Sequence, residues 1–120
     1  MKRLVFFTFL WLSGSAVLAQ THIPAKDAAK HLNETVTICD KIYSTKEFDN
    51  TGMVLLDMGG NHPDQYLTIV IRGEDKSKFA SKPEDYYRGK MVCVTGKLID
   101  YKGKPEIIVN SQDQLKPSTN

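Results

Sequence analysis

The chain has 120 residues, with 16 basic against 14 acidic side chains and two cysteines. A length of this order suits one domain with one modest core. The near balance of charge weighs against a dedicated nucleic-acid binder, which carries a visible basic excess, and two cysteines with no CxxC and no adjacent histidine exclude a zinc site of the usual spacing.

Met1, Lys2 and Arg3 form a basic start, an apolar run follows from Leu4 to Leu12, and Ser13, Gly14 and Ser15 break it ahead of Val17 and Ala19. Small or β-branched residues at those last two positions are what a signal peptidase reads. The pattern predicts a signal peptide over residues 1–19, a mature chain from Gln20, and export to a periplasmic or extracellular location. A spanning anchor needs about 20 apolar residues, and the interrupted stretch 4–19 falls short, so no membrane segment is expected after cleavage. No cysteine follows the apolar run to carry a lipid. Cleavage removes Lys2 and Arg3 and leaves 14 basic against 14 acidic residues, a formally neutral mature chain.

Residues 20–34 read as an N-terminal helical segment, with Pro24 in the first turn and Ile23, Ala28, Ala29 and Leu32 as its apolar stripe. Residues 35–43 then alternate with period two and place Val36, Ile38 and Ile42 on one face of a first strand. Residues 44–50 are polar and read as a loop. Residues 53–58 form a second strand, closed by Gly59, Gly60, Asn61 and Pro63. A third spans 66–71, with Leu67, Ile69 and Ile71 on one side and Tyr66, Thr68 and Val70 on the other. Between Lys82 and Gly89 the period changes to that of a short helix, Pro near its start and Gly after its end. Residues 91–99 and 105–109 form strands four and five around a turn at 100–104. The tail, 116–120, reads as disordered.

Three strands, a helical connection and a tight hairpin is the order of the five-stranded Greek-key OB barrel, so the expected fold is mostly β, with a domain over 35–115. The sequence becomes specific between Tyr87 and Val109. Gly89, Lys90, Val92, Val94 and Gly96 resemble the Gly-Lys-x-Val-x-Val-x-Gly strand of an OB-fold, nucleic-acid-binding-like family of small exported bacterial proteins. Tyr101, Gly103, Pro105 and Ile107 resemble its Tyr-x-Gly-x-Pro-x-Ile hairpin. A weaker similarity is to the periplasmic bacterial OB-fold group.

Both resemblances imply a binding protein and not an enzyme. Ligand in such a barrel lies across strands two and three, between the loops joining strands one to two and four to five. The candidates facing that groove are Tyr43, Met53, Tyr66, Arg72, Tyr101 and Lys102. Aromatic residues would stack on bases and basic ones follow the backbone of single-stranded nucleic acid; the bland reading of Tyr66 and Tyr101 is ordinary sheet packing. The second function that fits is an envelope or periplasmic protein that binds a protein, glycan or small ligand in assembly or stress tolerance, which formal neutrality favours. No cofactor is expected. The stretch from Asp57 to Asp64 has carboxylates and His62 but fails calcium-loop spacing, since Thr68 stands where a bidentate Glu is required. His22, His31 and His62 have no catalytic signature beside them.

Cys39 and Cys93 have the same outward parity on strands one and four, which adjoin in this barrel. Adjacency without register does not bring Cα atoms within the 7 Å or so that a bridge needs. The preferred reading is two unpaired strand cysteines, with a disulfide as the alternative.

Overall fold

The computed structural model describes residues 21–118. The expected signal peptide, residues 1–19, and the last two residues of the tail lie outside the described residues. Among the described residues there are seven strands: β1 (Thr21–His22), β2 (Thr35–Glu47), β3 (Val54–Met58), β4 (Leu67–Ile71), β5 (Met91–Tyr101), β6 (Lys104–Ile108) and β7 (Leu115–Pro117). They hydrogen-bond in the order β1-β2-β3-β4-β6-β5-β7, and β5 pairs again with β2. Five strands, β2, β3, β4, β6 and β5, thereby close on themselves. Within that ring β4 and β6 run parallel and every other neighbouring pair antiparallel. This is the topology of an OB barrel.

Closure follows from alternation on strands long enough to belong to both halves of the barrel. Val36, Ile38 and Ile42 of β2, Val54, Leu56 and Met58 of β3, Leu67, Ile69 and Ile71 of β4, Val92, Val94 and Leu98 of β5, and Ile107 of β6 are all buried in one core. A barrel of this size is filled by such side chains and holds no channel. Gly96 occupies an inward position between Val94 and Leu98, and a Cβ there would lie 2.6 Å from Ile107 Cγ2. The missing side chain is thus where the β6 isoleucine enters, and β5 bends over it.

Several elements depart from the sequence-based expectation. The N-terminal segment is β1, parallel to β2, followed by a 3₁₀ helix, Ala25–Lys30. Ala25 and Ala28 are its buried residues, three apart as a three-residue turn requires; a longer α-helical stripe through Leu32 does not form. β2 continues to Glu47 through the polar stretch expected to be a loop, because Ser44, Thr45, Lys46 and Glu47 all pair with β3. The register shifts between Ile42 and Ser44, a bulge at Tyr43 of the kind that re-aims a strand. β4 is buried on both faces. Part of the expected disordered tail forms β7, which pairs with β5 from Leu115 to Pro117.

The connection from β4 to β5 contains a 3₁₀ helix, Gly73–Lys78, and a short helix α1, Pro83–Tyr86, which packs on β2 and β3. Phe79 and Tyr87 anchor it in the core, their rings edge to face. The Tyr87 hydroxyl donates to the Leu115 carbonyl at 3.1 Å, and burial pushes its pKa up to about 12. Lys76 ties the connection to the barrel, pairing with Glu47 of β2 and, at 3.4 Å, with Glu84 of α1.

The cysteines are bridged, contrary to the preferred expectation. Cys39 and Cys93 are direct partners in the β2–β5 ladder, their Cα atoms 4.0 Å apart, and their sulfurs form a disulfide. Parity had placed both on the outer face, and the register now sets them opposite each other. The bond spans 54 positions of the chain, and closing a loop of that length stabilises a fold by about 4 kcal/mol in the chain-entropy model. Reduction is therefore expected to lower the urea midpoint of the protein substantially. Unchanged midpoints, together with two thiols titrating in the unfolded, unreduced chain, would contradict the bridge.

Candidate nucleic-acid interface

The outer face of the barrel carries the residues that alternation turns away from the core. The pairings set Ser44 and Lys46 of β2 beside Asp57 and Leu55 of β3, those beside Thr68 and Val70 of β4, and Thr68 and Val70 beside Glu106 and Ile108 of β6. Past Lys46 the chain reaches Phe48, whose backbone N–H donates to the Met53 carbonyl at 2.8 Å. That bond folds the β2–β3 loop back so that Phe48 and Met53 stand above Leu55. On the opposite side Lys102 and Gly103 form a two-residue hairpin turn with φ of 51° and 85°, the conformation that matches the twist of paired strands. It lifts Tyr101, 53% exposed, over β6.

Between these two loops runs a groove of about 270 Å³ lined by Phe48, Met53, Leu55, Val70, Tyr101 and Glu106. A second hollow of about 260 Å³ shares Phe48 and Leu55 and continues over Ser44, Lys46, Asp57 and His62. The Lys46 ammonium lies 4.9 Å from the centre of the Phe48 ring, and that of Lys102 lies 5.4 Å from Tyr101. Cations and aromatic faces thus stand together on both banks. Lys104 reaches across the far end to donate to the Pro63 carbonyl at 3.3 Å.

Two carboxylates lie in this otherwise apolar and basic surface. Burial pushes the Glu106 carboxyl above its ordinary value, since a charge beside Val70 and Tyr101 has lost much of its hydration. Asp57 is only 4% exposed. One of its oxygens, Oδ2, accepts from Ser44 Oγ at 2.7 Å, and that hydroxyl oxygen accepts in turn from the His62 backbone N–H at 3.1 Å.

Of the residues the sequence singled out, Met53 and Tyr101 meet in the groove and Lys102 stands on its rim. Tyr43 does not join them: as the bulge residue it projects elsewhere, 4.9 Å from the Lys41 ammonium. Tyr66 packs over Gly59, where a Cβ would lie 2.8 Å from its ring. Arg72 stands exposed at the start of the 3₁₀ helix that follows β4. Phe48, Leu55, Val70 and Glu106 were missed. Phe48 lies in a polar stretch, although a lone aromatic in a loop flanking the expected groove was itself a signal. Among the described residues no three His, Cys, Asp or Glu side chains gather as a metal site.

No family model and no curated protein matches the chain. Among solved structures it is similar to a chain described as an aspartyl-tRNA synthetase from Leishmania major Friedlin, with a TM-score of 0.53 and 13% identity. The match covers 88% of this chain and 22% of that one, so the protein spans about a fifth of its neighbour's length. At this identity the likeness is one of fold.

Glu106 gives the groove a pH signature. A carboxyl whose pKa is raised on folding contributes stability below its unfolded value, near 4.5, and loses it as pH rises through the folded value. Glu106→Gln is therefore expected to raise the melting temperature at neutral pH, with the gap closing below about pH 4.5. A gap that is absent at neutral pH, or that widens in acid, contradicts a desolvated Glu106.

Proposed function

We propose that this is an exported OB-fold binding module whose groove across β3, β4 and β6 takes a segment of single-stranded nucleic acid. The observation that carries the reading is the groove itself, where Phe48, Met53 and Tyr101 offer stacking surfaces over an apolar floor and Lys46 and Lys102 flank them. Bases stack on such aromatic platforms while cations follow the phosphates, a mode that tolerates many sequences. Formal neutrality of the mature chain does not prevent this, because Lys46 and Lys102 stand beside the groove's own aromatic rings. The fold neighbour bears the name of an enzyme for tRNA, which agrees with a nucleic-acid ligand. Binding is the whole of the proposed activity, with no catalytic step.

Export is supported by the basic and apolar start of the chain and by the Cys39–Cys93 disulfide, whose Cys39 half is exposed to solvent. Disulfides persist outside the reducing cytoplasm. The resemblance to small exported OB proteins between Tyr87 and Val109 supports the same reading.

Fluorescence anisotropy with a labelled, mixed-sequence single-stranded oligonucleotide tests the proposal. Binding at low salt is expected to weaken as salt rises, through the counterions that phosphate contacts release. Tyr101→Ala should cost about 1–3 kcal/mol, the loss typical of one base stack, whereas Tyr66→Ala should leave affinity nearly unchanged. No binding of DNA or RNA at low salt overturns the reading in favour of a protein, glycan or small envelope ligand, which the neutral charge suits.

A further inference from the structure

Two carbonyl-type acceptors beneath the groove have no hydrogen-bond partner among the described residues: Asp57 Oδ1 and Gln65 Oε1, both shut off from solvent. Each belongs to a side chain otherwise engaged. Asp57 holds the Ser44 hydroxyl through Oδ2, and Gln65 Nε2 donates to Thr68 Oγ1 at 3.1 Å and contacts His62 Nδ1 at 3.3 Å. Asp57 and Thr68 are direct cross-strand partners, so the two networks adjoin. A buried acceptor left unpaired costs about 1–3 kcal/mol, and more when it is charged. Asp57 bears this cost in a hollow that it lines, and is set up to receive a donor there.

The hollow above Asp57 says which donor fits. Phe48 and Leu55 supply apolar walls, Asp57 lines the interior, and the Lys46 ammonium stands at the Phe48 face. A flat ring stacked on Phe48 with an amino group on its edge meets all three features, and Lys46 is placed for the phosphate that follows. We infer that this hollow is a base-reading subsite of the groove, selecting nucleobases whose Watson–Crick edge carries an exocyclic amino group, with Asp57 Oδ1 as the acceptor. The inference rests on the single-strand reading above and adds selectivity to it. Cytosine offers its N4 amino group to the carboxylate; uracil and thymine offer a carbonyl oxygen at the same position, which the carboxylate repels. Oδ1 is shut off from solvent, so a base edge reaches it only when a side chain lining the hollow shifts, and His62 is one that lines it. That side chain is exposed and held by its long contact with Gln65.

Oligodeoxycytidine and oligodeoxyuridine of equal length, measured by anisotropy at pH 8, separate the possibilities because their backbones are the same and their bases differ only at this group and the neighbouring N3, an acceptor in cytosine and a donor in uracil. Wild-type protein is expected to bind the cytidine oligomer about tenfold or more tightly, the scale of a hydrogen bond to a charged acceptor. Asp57→Asn keeps an oxygen for Ser44 and can turn its amide to donate to uracil, so it should bind both oligomers with the preference abolished or reversed. Equal wild-type affinities, or a preference that Asp57→Asn leaves intact, overturn the subsite while the groove reading stands. Binding of neither oligomer overturns both. The wild-type ratio decides the subsite alone if the variant does not fold.

Discussion

The structure depends on one seam. β2 and β5 are joined over seven consecutive pairs, from Thr35 opposite Lys97 to Lys41 opposite Met91, and this ladder turns a curved sheet into a closed barrel. Without it the inward sets of both strands would face water and the sheet would keep two long edges, which invite non-native pairing. The disulfide lies within the seam, at Cys39 and Cys93. Gly96 and the bulge at Tyr43 let the two strands leave the seam and join β6 and β3. The core, the hairpin that raises Tyr101 and the loop that folds Phe48 inward all take their positions from that closure.

The groove is what closure leaves uncovered among the described residues. The 3₁₀ helix Ala25–Lys30 packs on β2, β4 and β6, and α1 packs on β2 and β3; among the described residues, no helix packs in this way on the outer surface between the β2–β3 loop and the β5–β6 hairpin. A surface meant only for water would carry polar residues throughout. This one buries Val70 and Asp57 and half-buries Leu55, Phe48 and Glu106. Burial of charge opposes folding, and the proposed binding role would give Asp57 and the half-buried Glu106 a reason that stability does not.

Much of the barrel was legible in the residues. Period-two alternation marked the first and third barrel strands, turn residues bounded the second, and the Gly-Lys-x-Val-x-Val-x-Gly and Tyr-x-Gly-x-Pro-x-Ile patterns located the fourth and fifth with their hairpin. What escaped depends on register or tertiary pairing. The β2 extension reads as polar because Ser44 and Lys46 face outward, and their backbone groups pair with β3 whatever the side chains are. β7 is too short to show a period. Ala25 and Ala28 suit either helix type, and six residues give no pattern to decide between them. The disulfide turned on a register that parity alone leaves open. At the site, Met53, Tyr101 and Lys102 follow from the strand and hairpin assignments, whereas Tyr43 and Tyr66 were misplaced by a bulge and by the packing of a ring on Gly59.

The central claim is that ligand lies across β3, β4 and β6. Backbone amide chemical shifts of the mature protein, followed by NMR during titration with a single-stranded oligonucleotide, test it most directly. The account predicts perturbations concentrated at Lys46, Phe48, Met53, Leu55, Val70, Tyr101 and Lys102, with Tyr43, Arg72 and the β5–β7 edge unmoved. Perturbations centred on that edge or on Tyr43, or none with any single strand, would contradict it.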